Sequence, residues 1–362
     1  MSDYIQTTFF PWQSSVWEKL YASNFTNKTQ TGHFPHAILL AGVAGIGKKE
    51  LALHLAKGLL CPSPQNNPQT GQIEPCQTCR SCQLFNSGNH PDFNHITTPE
   101  GKKVIPVDNI RELIQWSVLS SQLGGKKIIL IEPAEAMNPN ASNSLLKTLE
   151  EPVSNTIIIL LTNKKQALLP TIRSRCQTID LALPEKQTSL QWLEHVLLIQ
   201  QTGAASNNAQ LLLSLASGAP LFALELSQDE QLHVRNTIIN HLLSIFNDSA
   251  DPVVIAETLF KQTKIKKATT KKKQLVFSAY DVIYWMDSIV SDLARLAQNC
   301  EQDKITNIDF FDTLQQLSIR LNLKNVLQLS DLINKAYYEI QGQININLLF
   351  EKLLIDWNNC KK

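Results

Sequence analysis

Between about residue 34 and residue 181 the chain alternates short apolar runs with longer stretches whose apolar positions recur at helical spacing. The short runs are AILLAG from Ala37, DFNHIT from Asp92, KIILIE from Lys127, TIIILLT from Thr156 and RCQTIDL from Arg175. They are nearly all apolar and bounded by turn residues, the pattern of strands in a parallel sheet covered on both faces. The stretches between them, a helix from Lys48, VDNIRELIQWSVL from Val107 and NASNSLLKTL from Asn140, predict a doubly wound α/β domain over 1–181. Local signals mark its boundaries: Asp108 as an N-cap after Pro106, Pro152 as a stop after Glu150 and Glu151, and Pro170 as a break before Arg173. Beyond Pro184 only helical periodicity remains. SLQWLEHVLL, AQLLLSLAS and APLFALELS, punctuated by Gly218 and Pro220, predict a small helical domain over 182–230. DVIYWMDSIVSDLARLA and NVLQLSDLINKAYYEI predict a larger all-helical domain over 231–362.

Composition narrows the function class. With 362 residues and 43% hydrophobic content the chain buries a sizeable core, and its net charge of +1 excludes a globally basic nucleic-acid coat. The one dense charge run, KQTKIKKATTKKK from Lys261 to Lys273, reads either as a solvated helix end or loop or as a phosphate-contacting patch. MSDYIQTTFFPW has no basic region followed by an apolar core, and no apolar run approaches the roughly 20 residues of a membrane span. A cytoplasmic protein with no membrane partner is therefore expected. In that compartment thiols stay reduced, and clustered cysteines read as metal ligands.

Two constellations carry chemistry. Gly42, Gly47 and Lys48 stand in the frame of a phosphate-binding P-loop, but Lys49 occupies the place of the hydroxyl that would ligate Mg²⁺. The candidate strand KIILIE ends in Glu132-Pro133, so a proline stands where a carboxylate would position the attacking water. The pattern is that of an ATPase scaffold with its chemistry removed. The second constellation is Cys61, Cys76, Cys79 and Cys82, spaced C-x₁₄-C-x₂-C-x₂-C, which supplies four thiolates for one structural Zn²⁺ in a loop over about 61–82. An Fe–S cluster uses the same ligands, and unliganded surface thiols are the third reading. Cys176, Cys300 and Cys360 are isolated, and Cys176 is expected to be a small buried residue at the start of a strand.

Several segments together resemble a known family: FPW at Phe10, PHAILLAG at Pro35, the four-cysteine insertion, HPDF at His90, SLLKTLEEP at Ser144 and SRC at Ser174. They are similar to the delta-prime family of bacterial DNA polymerase III clamp-loader subunits, which are AAA+ proteins, and INLLFEKLLIDW near the end is similar to that family's collar terminus. The resemblance implies a P-loop AAA+ domain with a zinc insertion, a helical lid and an all-α collar. It implies partnership with gamma/tau and delta subunits in a hetero-oligomeric ring, with the sliding clamp and primed DNA reached through that complex. Residue by residue, it puts the P-loop hydroxyl on Lys49, the Mg²⁺ acid on Glu132, the catalytic acid on Pro133, the sensor on Thr162-Asn163 and the lid arginine on Leu221. It makes Arg175 an arginine finger that reaches a neighbour's ATP site. The isolated chain is expected to have neither polymerase nor ATPase activity, and bound ATP is not expected, although Gly42, Gly47 and Lys48 leave phosphate contact open. Two other readings stay in view: an ATP-hydrolysing gamma/tau-type subunit, and a zinc-containing DNA-binding protein.

Overall fold

The computed structural model describes residues 10–22, 34–67, 72–99, 102–199, 209–228, 231–263, 278–340 and 344–362, so the basic run lies outside the described residues from position 264 onward. The chain divides into two compact units, Met1–Thr188 and Ser189–Lys362.

Hydrophobic runs form the centre of the first unit as expected. Strands β1 (Ala37–Ala41), β4 (Phe93–Thr97), β5 (Lys127–Glu132), β6 (Thr156–Thr162) and β7 (Gln177–Asp180) build one sheet in the order β4-β5-β6-β1-β7, every pairing parallel. Register places Leu39 opposite Leu160, and Ile129 opposite Ile158. The inner strands β5, β6 and β1 are buried almost without interruption, which is why they show no alternation. The outer strands differ from the expectation of full cover. Strand β7, QTID, is half-exposed because it has a neighbour on one side only, and its polar residues face solvent. A small antiparallel pair, β2 (Gln65–Asn66) with β3 (Ile73–Glu74), lies inside the cysteine insertion and had no signal in the hydrophobic pattern.

Helices α1 (Ser14–Trp17), α2 (Lys48–Leu60), α3 (Arg80–Asn86), α4 (Val107–Val118), α5 (Pro139–Glu150) and α6 (Pro170–Arg173) complete this unit. Ile110 and Leu113 of α4 and Leu145 and Leu149 of α5 pack with Ile129, Ile131, Ile158 and Leu160 of the sheet. Each such side chain contributes roughly 1.5–3 kcal/mol on burial. Asp108 is not the N-cap of α4. Pro106 holds the extended cap conformation, Val107 is the first helical residue, and Asp108 sits in the first turn 3.3 Å from Arg111, where its charge still favours the helix N-terminus. Helix α5 is capped by Asn138, whose Oδ1 accepts the Ala141 N–H at 2.7 Å, and it ends at Glu150 before Pro152. Pro170 opens α6 rather than breaking a segment, because at the first helical position its missing N–H has no helical partner to lose.

Among the described residues the second unit is helical. It contains α7 (Lys186–Ile199, entering from the first unit), α8 (Ala209–Leu215), α9 (Pro220–Gln228), α10 (Gln231–Phe246) and α11 (Pro252–Thr263). Helices α12 (Ala279–Ala297), α13 (Phe311–Arg320), α14 (Leu323–Glu339) and α15 (Ile346–Asn358) follow. Trp285, Trp357, Phe246 and Phe350 fill its interior. A buried polar network runs through it: Arg235 donates to both Asp309 oxygens at 2.9 and 2.6 Å and to Asn307 Oδ1 at 3.0 Å. Asp292, fully buried, accepts from the Thr306 and Asn307 N–H groups and from Arg295. Tyr284 donates to the Leu215 carbonyl at 3.0 Å, tying the end of α8 to α12. Among the described residues no single helix is long and apolar enough to cross a membrane.

His54 of α2 is 6% exposed and packs edge-on against Trp17 of α1, with ring centroids 4.5 Å apart. Burial, with Lys57 nearby, pushes its pKa down to about 4, so the folded protein holds it neutral where an unfolded chain would take up a proton. The depressed value means that this contribution is complete above about pH 6.5 and is lost as pH falls through about 4, a swing of about 3 kcal/mol. Urea unfolding at pH 7 and pH 4.5 should show a smaller acid loss in His54→Leu than in the wild type. An equal loss would assign the acid sensitivity to other groups.

Candidate functional site

Strand β1 delivers the P-loop to the N-terminus of α2. Gly42 lies so near β7 that a Cβ there would fall 2.6 Å from the Leu181 carbonyl oxygen. Gly47, at φ +86°, turns the chain into α2. The N-terminal turn closes over it. A Cβ at Gly47 would meet the Phe10 ring at 2.5 Å; Phe10 stacks on Trp12, with centroids 4.9 Å apart. Trp12 donates to the Ile46 carbonyl at 3.0 Å, and buried Gln13 donates to the Ile46 and Gly47 carbonyls at 3.1 and 2.7 Å. Lys48 turns back on its own loop, its Nζ donating to the Val43 carbonyl at 2.6 Å. Burial pushes the Lys48 pKa down against the opposing charges of Glu135 and Glu132.

Lys49 takes a different course. Its ammonium lies 3.3 Å from Glu132 Oε2, and His95 Nε2 on β4 lies 3.3 Å from the same oxygen. Burial would raise the Glu132 pKa, but His95 and Lys49 hold its carboxyl below the usual range. The carboxylate at the strand end thus meets a side-chain cation. Pro133 follows it, and Glu135 points to β6, accepting the Asn163 N–H at 3.0 Å. Thr162 is buried and its Oγ1 accepts the Lys164 N–H at 3.0 Å. Leu221 is buried within the second unit.

Arg175 stands between α6 and the edge strand β7. Its guanidinium, a third exposed, pairs with Glu150 at 2.5 Å and donates to the Thr171 carbonyl at 3.0 Å. These contacts fix its stem on the end of α6 and on the Glu150-Glu151 end of α5. Cys176 beside it is buried, and burial pushes its thiol up to about 11, away from nucleophilic use.

The four cysteines of the insertion come together. Their sulfurs all lie within 4.8 Å of one another, with Cys61 3.5 Å from Cys76 and 4.0 Å from Cys79. Tetrahedral thiolate ligation at about 2.3 Å puts sulfurs about 3.8 Å apart, so the set fits a single ion. Backbone donors serve the sulfurs: Cys76 N–H donates to Cys61, Cys79 N–H to Cys76 and Cys82 N–H to Cys79, each at 3.4 Å. Burial works against a charged Cys76, but N–H groups of Cys79 and Thr78 bring its thiol down to about 6. The arrangement is chemically a site for a metal ion held by thiolates.

Residues 17–185 match the family described as DNA polymerase III, delta subunit, and residues 229–359 match DNA polymerase III, delta subunit, C terminal. The chain is 31% identical to DNA polymerase III subunit delta' of Pseudomonas aeruginosa, covering 96% of this chain and 97% of that one. Against DNA polymerase III subunit delta' of Escherichia coli strain K12 the identity is 34%, covering 96% and 94%. The chain belongs to the delta' family of DNA polymerase III subunits. As a delta' family member it has the expected P-loop AAA+ architecture, a parallel α/β unit with a four-cysteine insertion followed by a helical region.

The structure of this delta' family chain also brings in residues that the sequence did not single out. Gln13 and His95 touch the P-loop and its paired acid, and buried Lys57 stands one helical turn before Cys61. His90 and Asp92 of the HPDF motif have a structural task. His90 Nδ1 accepts the Asp92 N–H and its Nε2 meets Ser81 Oγ at 2.9 Å, while the Asp92 carboxylate takes the N–H groups of Gln122 and Leu123. Of the missed positions only Lys57 carried a sequence signal, a lysine inside an apolar helical stretch. Elemental analysis should find one metal ion per chain in the purified protein, with Cys79→Ser strongly depleted while its far-UV circular dichroism stays close to wild type. Equal metal in both would exclude Cys79 as a ligand.

Proposed function

We propose that this chain is a non-hydrolysing member of a clamp-loader ring, assembled with gamma/tau and delta subunits in the cytoplasm, that helps place the sliding clamp on primed DNA. The observation that carries this reading is the Lys49–Glu132 pair. The acid that an active P-loop protein needs for Mg²⁺ is neutralised from within the chain, and the ammonium stands beside the phosphate loop in the metal's role as counter-charge. An ATP-hydrolysing gamma/tau-type subunit would need that acid free and a carboxylate in place of Pro133. A DNA-binding role would rest on the basic run, which lies outside the described residues from 264 onward. Within the reading, residues 182–230 form the lid and 231–362 the collar that holds the ring, and the cysteine site carries a structural Zn²⁺ with no open position for a reactive water.

The isolated chain is expected to show no ATPase activity, and Lys49→Thr should not restore it. Freeing Glu132 leaves Pro133 in the water-positioning place and Leu221 in that of the lid arginine, so two defects remain in series. Turnover by Lys49→Thr above the wild-type background would show that another carboxylate, Glu135 first, serves as the base.

Arg175 gives the chain a part in catalysis by its neighbour. A guanidinium held on a rigid helix end supplies transition-state charge stabilisation worth roughly 10³–10⁵ in rate where an arginine finger acts. Its pairing with Glu150 is exposed enough to contribute only about 0–1 kcal/mol, so Arg175→Ala should fold and assemble normally. In a reconstituted ring the variant should lower DNA-stimulated ATP hydrolysis several-fold and clamp loading by more. Wild-type rates in a fully assembled variant ring would leave the subunit as scaffold alone.

A further inference from the structure

Lys57 is a charged side chain in an unusual place. It lies on α2 one turn before Cys61, on the same face, and is only 4% exposed. Its ammonium donates to Gln77 Oε1, and Gln77 is the residue between Cys76 and Thr78 that turns the ligand loop at φ +64°. Burial works to lower the Lys57 pKa, and the four cysteine sulfurs act against that shift. A buried ammonium is costly unless negative charge lies beside it, and the cysteine cluster is where that charge can form.

We propose that Lys57 is the counter-charge of the metal centre, a positioning residue that strengthens the binding of a divalent ion by the four thiolates. The inference rests on the zinc reading above. With a divalent cation bound by four thiolates, the centre carries a net charge of −2. Lys57 offsets half of that charge from inside the protein, where water cannot. Its hydrogen bond to Gln77 ties the same charge to the loop that bears Cys76 and Cys79. Lys57 ligates nothing; it acts through the charge of the ligands. Outer partners of this kind typically change metal affinity 10- to 100-fold.

The test loads full-length wild type, Lys57→Met, Lys57→Gln and Lys57→Arg with Zn²⁺ and follows transfer of the ion to a chromophoric chelator at pH 7.5. Thermal unfolding of the zinc-loaded forms confirms that each is folded. Lys57→Met keeps the aliphatic stem and Lys57→Gln keeps a donor for Gln77, but neither carries charge. Both should lose zinc affinity by about tenfold or more, while Lys57→Arg stays near wild type. If packing were the whole role of Lys57, Lys57→Met would hold zinc as tightly as wild type, and that result overturns the proposal. Loss of affinity in Lys57→Arg equal to that in Lys57→Met also overturns it, since the charge is then irrelevant. Failure of the wild type itself to take up zinc with all four thiols reduced removes the zinc reading and this proposal together.

Discussion

The contact between Gly42 and the Leu181 carbonyl is the constraint on which the first unit turns. A side chain there would push β1 and β7 apart, and β1 is the strand from which the P-loop leaves the sheet. With that gap closed, the loop has one path to Gly47, and α2 begins at a fixed height above the ends of β5 and β6. Lys49 then faces Glu132 from the first turn of the helix. The phosphate loop is shaped by packing against backbone, Phe10 and Gln13, none of which depends on a nucleotide. The form of the loop therefore rests on the fold itself.

The same sheet shows what hydrophobic pattern reveals and what it hides. Strands β1, β5 and β6 were legible because both of their faces are buried, and the helices α4 and α5 because each presents one apolar stripe to that sheet. Strand β7 was placed correctly in the chain, but its edge position was not readable, since exposure depends on which strands are neighbours. Asp108 has the composition of a cap, and the backbone angles of Pro106 decided otherwise. The pair β2 and β3 has two residues in each strand and buries too little to leave an apolar signature.

The site divides in the same way. The cysteines and the P-loop frame were legible because their chemistry requires fixed residue types at fixed spacing. Gln13, His95 and Lys57 were not, because each gains its meaning from a partner between 20 and 37 positions away, counted along the chain for Lys57 to Gln77 and His95 to Glu132. Arg175 was legible as a residue, while its hold on Glu150 and the Thr171 carbonyl was visible only once α5 and α6 were in place.

Helix α2 connects the phosphate loop to the cysteine cluster. Lys49 stands at its start and Cys61 closes its other end, roughly 18 Å apart along the axis at about 1.5 Å per residue. An isolated helix of this length frays from both ends. Here the first turn is anchored by an ion pair to the sheet and the last by a ligand cluster whose other three members lie in a loop and in α3. The helix is therefore a strut fixed at both ends. Held at both ends, the helix links the phosphate loop and the four-cysteine cluster through its own backbone, so a disturbance of one has a covalent, hydrogen-bonded path to the other.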